Sequence, residues 1–192
     1  MIRIVIAYTF LLIPFILFAQ KKKEIKKHRI KTYKETIIDN TNGKSMLLEM
    51  REFNKEGNTL SEEVRNNDGK IKRKKAFEYT KTGELASETI YNENGEVKSI
   101  HKYKYGAAKL VSEELIYDNE NILLKKIKYT YTGTGEKKGE QVFDGTGKLI
   151  EKSTYDYDTK GLRVLKKTYD GENKLISTKK YEYEYYPWQL KA

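Results

Sequence analysis

Between Phe53 and Tyr183 every aromatic residue carries an odd number. Side chains on a strand alternate faces with a period of two, so within any one strand these rings share a face. They recur every 26 residues in three rows: Phe77, Tyr103, Tyr129, Tyr155 and Tyr181; Phe53, Tyr79, Tyr105, Tyr131, Tyr157 and Tyr183; Tyr91, Tyr117, Phe143 and Tyr169. Two glycine rows keep the same step. Gly57, Gly83, Gly135 and Gly161 form one, with Lys109 in the vacant slot; Gly43, Gly69, Gly95 and Gly147 form the other, completed by Asn121 and Asn173. Asn tolerates left-handed backbone better than most side chains, so it suits a glycine slot. An apolar row, Ile71, Val97, Leu123, Leu149 and Leu175, completes the unit. A fixed internal period of this length marks a repeat architecture, here five units of two hairpin halves, with a degenerate half unit at 33–43.

The pattern predicts strands at 31–38, 46–54, 59–66, 71–80, 84–91, 97–105, 110–117, 123–131, 137–143, 148–157, 162–169 and 175–185. Outside the first 19 residues only 46–52 also accommodates a helix. Proline is absent between residues 15 and 186, as a long ladder requires. Each turn reads as three residues closed by a left-handed position, the hairpin with a glycine bulge. That register sets Thr80 against Glu84, Tyr79 against Leu85, Tyr91 against Val97, Tyr117 against Leu123, Phe143 against Leu149 and Tyr169 against Leu175. It preserves parity across the turn, so one apolar odd face is expected. The even face is then wet, with a narrow stripe where Ile116 meets Leu124 and Val142 meets Ile150. Asp118, Asp144, Asp156, Asp158 and Asp170 follow aromatics and are read as acceptors for turn amides.

The fold class is therefore all-β: an antiparallel meander of about 12 strands built from 26-residue hairpin repeats. Left flat, such a sheet would be about 58 Å wide, and sheets that wide curl, split or close. The expectation is a spiral or barrel-like closure with the aromatics inside, or else a single-layer sheet with basic stems such as Lys137 and Arg163 lying over Tyr131 and Tyr157. Pro187 ends the ladder, and Trp188 is placed to cover the open end.

At these residues the chain resembles the YD repeats of RHS-type bacterial shell proteins, whose signature is Tyr-Asp-x-x-Gly-x-Leu. The matching stretches are Tyr91-Asn-Glu-Asn-Gly95-Glu-Val97, Tyr157-Asp-Thr-Lys-Gly161-Leu-Arg163 and Tyr169-Asp-Gly-Glu-Asn173-Lys-Leu175. Asn92, Arg163 and Asn173 depart from it. The resemblance covers residues 53–183. It implies antiparallel strands winding into a sheet or shell, with roles in carbohydrate contact, cell-surface contact or toxin encasement. The chain is too short to encase anything and lacks the family's self-cleaving segment, so no catalytic residue carries over.

Composition adds a compartment. Residues 1–19 join Arg3 to an apolar run ending at Ala19-Gln20, the pattern of a cleavable signal peptide. The run is shorter than a spanning helix needs, though the lysines that follow at once resist export and would suit an uncleaved anchor. We read residues 20–32 as a basic linker and 33–192 as the repeat domain. The 192 residues hold no cysteine, which excludes disulfides, thiolate metal sites and a cysteine lipid anchor. The net charge of +10 comes mostly from dispersed lysines, a solubility and edge-guarding device. It does not have the clustered Arg of a nucleic-acid groove, so no nucleic-acid partner is expected.

Catalytic chemistry is sparse. His28 and His101 have no partner His or Cys. The glycines from Gly133 to Gly139 and the Asp144-Gly-Thr-Gly-Lys148 stretch have neither dinucleotide nor Walker spacing and read as turns. No enzyme, metal or cofactor is expected. The function expected is a secreted or envelope binding or structural module for a carbohydrate or an acidic envelope polymer. The alternative is an assembly partner that adds strands to another protein through its open edges. A membrane is met only through an uncleaved N-terminus. Tyr103, Tyr105, Tyr129, Tyr131, Tyr155, Tyr157, Tyr181 and Tyr183 form the candidate ligand platform, because a phenol ring has an apolar face and a polar edge.

Overall fold

The computed structural model describes residues 22–186. The signal-peptide stretch at 1–19 and the Pro187–Trp188 closure lie outside those residues. Twelve strands run in chain order: β1 (Thr32–Ile38), β2 (Ser45–Phe53), β3 (Thr59–Arg65), β4 (Ile71–Tyr79), β5 (Leu85–Tyr91), β6 (Val97–Tyr105), β7 (Val111–Tyr117), β8 (Leu123–Tyr131), β9 (Lys137–Asp144), β10 (Leu149–Tyr157), β11 (Arg163–Asp170) and β12 (Leu175–Lys180). Their hydrogen-bonded order is also the chain order, from β1 to β12 without closing. The chain divides within β4 into two compact units, one up to Lys74 and one from Lys75.

The turns form as the sequence predicts. The Asp118 amide donates to the Ile122 carbonyl at 3.0 Å, and the Asn121 amide to the Asp118 carbonyl at 3.3 Å. Lys109, Asn121 and Asn173, the three substitutes in glycine slots, stand at φ 58°, 63° and 64°. The Asp118 carboxylate accepts the amides of Glu120 and Ile122 at 2.9 and 2.8 Å. Asp144, Asp158 and Asp170 do the same for their own turns. Asp156 does not: it lies inside β10 opposite Leu165. The expected pairs Tyr91–Val97, Tyr117–Leu123, Phe143–Leu149 and Tyr169–Leu175 all form.

One step further into each ladder the register shifts. Beyond Tyr117–Leu123 the next pair is Ile116–Lys125, which leaves Leu124 as an extra residue. Lys98, Ser112, Lys138, Ile150, Val164 and Ile176 are the corresponding extras in the other hairpins from β5 onward, each three residues after the left-handed position. A second bulge thus follows the turn, and a one-residue slip moves every later side chain to the other face. This corrects the expected stripe: Ile116 faces Lys125 and Val142 faces Glu151. It also corrects the single odd face. Tyr103 stands opposite Glu114, Tyr129 opposite Glu140 and Tyr155 opposite Lys166. Tyr117 stands opposite Ile100 and Tyr169 opposite Lys152, on the reverse side.

Dividing the rings between two faces leaves neither face apolar enough to demand a second layer. Strands pack on their hydrogen-bonded neighbours. Among the described apolar residues only Phe53 and Tyr155 are buried, at 8% and 7% exposure. Within each unit the sheet is a single layer, not the barrel-like closure offered as an alternative. β12 stops at Lys180 rather than 185 because β11 begins at Arg163. The Tyr181 amide makes a last bond to the Val164 carbonyl, and beyond it no ladder partner remains.

In the first unit, residues 22–27 form a short helix, α1, where no helical period was expected. It docks on the β2–β3 turn. A Cβ on Gly57 would lie 2.6 Å from the Lys22 carbonyl oxygen and 3.3 Å from the Lys26 Cβ. The Phe53 amide donates to the Lys31 carbonyl at 2.9 Å, which ties the basic segment to the end of β2. The stretch at 46–52 is strand, paired to both β1 and β3.

Candidate functional site

In the second unit the bulges put two different surfaces on the two faces of one sheet. The first carries the rows Tyr103, Tyr129, Tyr155 and Tyr105, Tyr131, Tyr157. A glutamate row with the same 26-residue step, Glu88, Glu114 and Glu140, lies between the rings. The Tyr129 hydroxyl donates to Glu114 Oε2 at 2.7 Å and the Tyr103 hydroxyl to Glu88 Oε2 at 3.3 Å. Tyr155 hydrogen-bonds to Glu140 in the same way. Each carboxylate also meets a cation. Lys75 Nζ lies 2.6 Å from Glu88, His101 Nδ1 lies 2.8 Å from Glu114, and Lys137 and Lys166 Nζ lie 3.3 and 3.7 Å from Glu140. Burial, reinforced by the neighbouring carboxylates, pushes the Tyr103, Tyr129 and Tyr155 phenols well above their usual range. The His101 contact, aided by the Tyr129 hydroxyl, holds the Glu114 carboxyl below its usual value.

The second tyrosine row has a different task. Tyr105 donates to the Leu85 carbonyl, Tyr131 to Val111, Tyr157 to Lys137 and Tyr183 to Arg163, each at 2.8 Å and each twenty residues back. The acceptor in every case is the first residue of a strand, and Val111, Lys137 and Arg163 each stand just before a bulge interrupts the ladder. Basic stems lie over the rings: Lys137 Nζ is 4.4 Å from the Tyr129 centroid, and the Arg163 guanidinium is 4.4 Å from that of Tyr155. Of the eight platform tyrosines, six share this face on β6, β8 and β10. Tyr181 and Tyr183 follow the end of β12, with Tyr183 exposed. The rings are brought together, but their hydroxyls are engaged and their faces partly covered.

The reverse face carries Tyr117, Phe143 and Tyr169 among lysines. Lys102 Nζ lies 4.7 Å from the Tyr117 centroid and Lys126 Nζ 5.2 Å from that of Phe143. Here a groove of about 710 Å³ runs over β8 to β11. The register lays its lining in two rows. Thr130, Gly139, Thr154 and Lys167 face one another in one, and Lys128, Gln141, Lys152 and Tyr169 in the other. Gly139 forms the floor. It is a mid-strand residue, within the strand expected at 137–143. The readable sign was a break in period: the row Ser61, Ser87, Glu113, Gly139, Leu165 loses its side chain only at 139.

One repeat earlier the equivalent place is filled. Glu113, the counterpart of Gly139, accepts a hydrogen bond from Lys104 Nζ at 2.6 Å, and that contact holds its carboxyl low. In the groove the pair Lys104–Glu113 is replaced by Thr130–Gly139, so both the carboxylate and the bulk are gone. Lys152 and Lys167 make no ion pair among the described residues, whereas Lys128 stands opposite Glu113. Also among the described residues, no three metal-ligating side chains converge. No described helix is long and apolar enough to cross a membrane.

No protein-family model matches the chain, and no curated protein does. Solved structures do. A porin-like protein from Bacteroides uniformis is 12% identical, with a TM-score of 0.38, over 71% of this chain and 53% of its own. A protein of unknown function from Bacteroides fragilis is 12% identical, with a TM-score of 0.33, over 81% and 96%. A chain of the TcdB2-TccC3-Cdc42 complex is 13% identical, with a TM-score of 0.27, over 76% of this chain and 11% of its own. This chain thus spans about half of the porin-like protein and a small part of the toxin chain.

Proposed function

We propose that the protein is an exported, non-catalytic repeat module of the YD type that holds a carbohydrate or an acidic polymer of the cell envelope against its sheet. The observation that carries this reading is the single layer. In each unit the strands are ordered with almost no buried apolar core among the described residues, so each keeps two patterned faces in water. Such a construction suits contact with a long, flexible polymer better than enclosure of a small substrate, which calls for a concave and mostly apolar site. The 26-residue step repeats the contact chemistry at regular intervals, as an extended partner requires. Retention of the chain on envelope polymers, compared with a variant whose surface residues are shuffled, tests the reading; equal retention of the two would remove its basis.

A second reading rests on β12. All six of its residues are exposed, Leu175 and Ile176 at 49% and 56%, and its outer edge has no described partner strand. An exposed edge is a template for another strand. Under this reading the chain forms concentration-dependent oligomers that Thr178→Pro abolishes. Light scattering across a dilution series distinguishes the two readings.

A further inference from the structure

We infer that the groove floored by Gly139 is the polymer-binding site, and that its occupant is a carboxylated or sulfated polysaccharide. The inference rests on the polymer-binding reading above and names its place and ligand class. Three observations point to it.

The first is the glycine. A glycine inside a strand weakens it, and such a position often marks a close approach by a ligand or another backbone. Gly139 has no left-handed backbone to justify it. Its Cβ position faces the Ser153 carbonyl at 3.1 Å and Thr130 Oγ1 at 3.2 Å. The same slot in other units holds Ser61, Ser87, Glu113 or Leu165, so the sheet itself tolerates a side chain there.

The second is charge. The carboxylate that Glu113 supplies in the preceding unit is missing at Gly139, and Lys152 and Lys167 make no ion pair among the described residues; Glu140 and Asp156 are the acidic residues of the lining. Unpaired lysines about a depression attract anions and raise their local concentration.

The third is the rest of the lining. Thr130, Thr154 and Gln141 offer hydroxyl and amide groups beside the Tyr169 ring, a set that fits sugar hydroxyls and an apolar ring face. The two rows extend across four strands, about 14 Å, which suits a chain rather than a point anion. Single-stranded nucleic acid is the poorer fit. The groove has no arginine, and Tyr169 does not have the series of open rings on which successive bases stack.

The test is equilibrium binding of the full chain to polygalacturonate and to dextran sulfate, with neutral dextran and an oligothymidylate as comparison probes. Both acidic polymers should bind and neutral dextran should not. Gly139→Glu, which restores the carboxylate of the preceding unit, should weaken binding tenfold or more with an unchanged circular dichroism spectrum. Should that variant misfold, the double variant Lys152→Gln/Lys167→Gln serves: it should lose at least tenfold and show a shallower salt dependence. Lys98→Gln/Lys179→Gln, with the same change in net charge elsewhere, should lose less than twofold. Equal losses for the two double variants would show that net charge alone binds, and would overturn the assignment. So would tighter binding of the oligothymidylate than of polygalacturonate at equal salt. If the acidic polymers bind the parent and all groove variants alike, the groove falls while the polymer-binding reading stands. If no envelope polymer is retained at all, both fall.

Discussion

Four tyrosine hydroxyls, those of Tyr105, Tyr131, Tyr157 and Tyr183, each reach a backbone carbonyl twenty residues back. Each satisfies an acceptor at a strand start. Removing one should cost about 1 kcal/mol, the net worth of a hydrogen bond. Tyr131→Phe is therefore expected to melt a few degrees lower than the parent, and an unchanged melting curve would show that the bond carries no stability. At Asn173, φ 64° strains any residue with a Cβ, and Asn less than most. Asn173→Gly should match or exceed the parent in stability, while Asn173→Ala should lose about 1 kcal/mol. Denaturant midpoints that rank the two the other way would contradict the turn geometry.

The phenols, half-buried at Tyr103 and Tyr129 and buried at Tyr155, make a prediction about pH. Tyr103, Tyr129 and Tyr155 have folded pKa values raised above the unfolded value of about 10. A raised value means that the folded state holds the proton more tightly. The stabilisation is present below about pH 10 and is lost as pH climbs from there towards the folded values. Tyrosinate absorbance of the folded chain should therefore rise late for these three, above the range of a free phenol. Titration of these three in the range of a free phenol would contradict their place between the glutamates. Glu114 works in the opposite sense. Its lowered value gives stability that is present at neutral pH and is lost as acid protonates it.

At the scale of the element, the hairpins were legible and their second bulge was not. Turn residues have special backbone needs, so glycine, asparagine and aspartate advertised every turn and the first pair beyond it. A bulged position needs no special residue. Leu60, Lys98, Ser112, Leu124, Lys138, Ile150, Val164 and Ile176 share no chemistry, and only the register reveals them. That omission turned two faces into one in the sequence reading. The groove was hidden for the same reason, because Lys152, Lys167 and Gly139 could not be placed together without the slip. Helix α1 was missed because six lysine-rich residues without an apolar stripe carry no period; it is held by the β2–β3 turn rather than by its own pattern. Gly57 and Gly83 offer a direct comparison. Both are left-handed, but only Gly57 has α1 against it. Gly57→Ala should cost clearly more than Gly83→Ala and should make the amides of 22–27 exchange faster with solvent. Equal costs would mean that α1 is not docked there.

At the scale of the whole molecule, the layer is built by repetition, each strand resting on its neighbours. Such proteins gain stability by summing similar units, and their length is adjustable. Excising one period, residues 111–136, joins Leu110 to Lys137, the counterpart of Val111. The shortened chain is expected to fold with a lower melting temperature and the same strand content by circular dichroism. An unfolded product would mean that units are not interchangeable.

In the hairpins from β5 onward, a bulge after the turn divides the aromatic rings between the two faces of the sheet. This central claim can be tested at one pair. Ser153 Oγ and Thr168 Oγ1 lie 3.2 Å apart across β10 and β11, and without the bulge Ser153 would face Lys167 instead. The chain has no cysteine of its own. Cysteine pairs placed at 153/168 and at 153/167 can therefore be compared by the fraction that forms a disulfide in air. The bulged register requires rapid closure at 153/168 and little at 153/167; preferential closure at 153/167 would return all the rings to one face and contradict the claim.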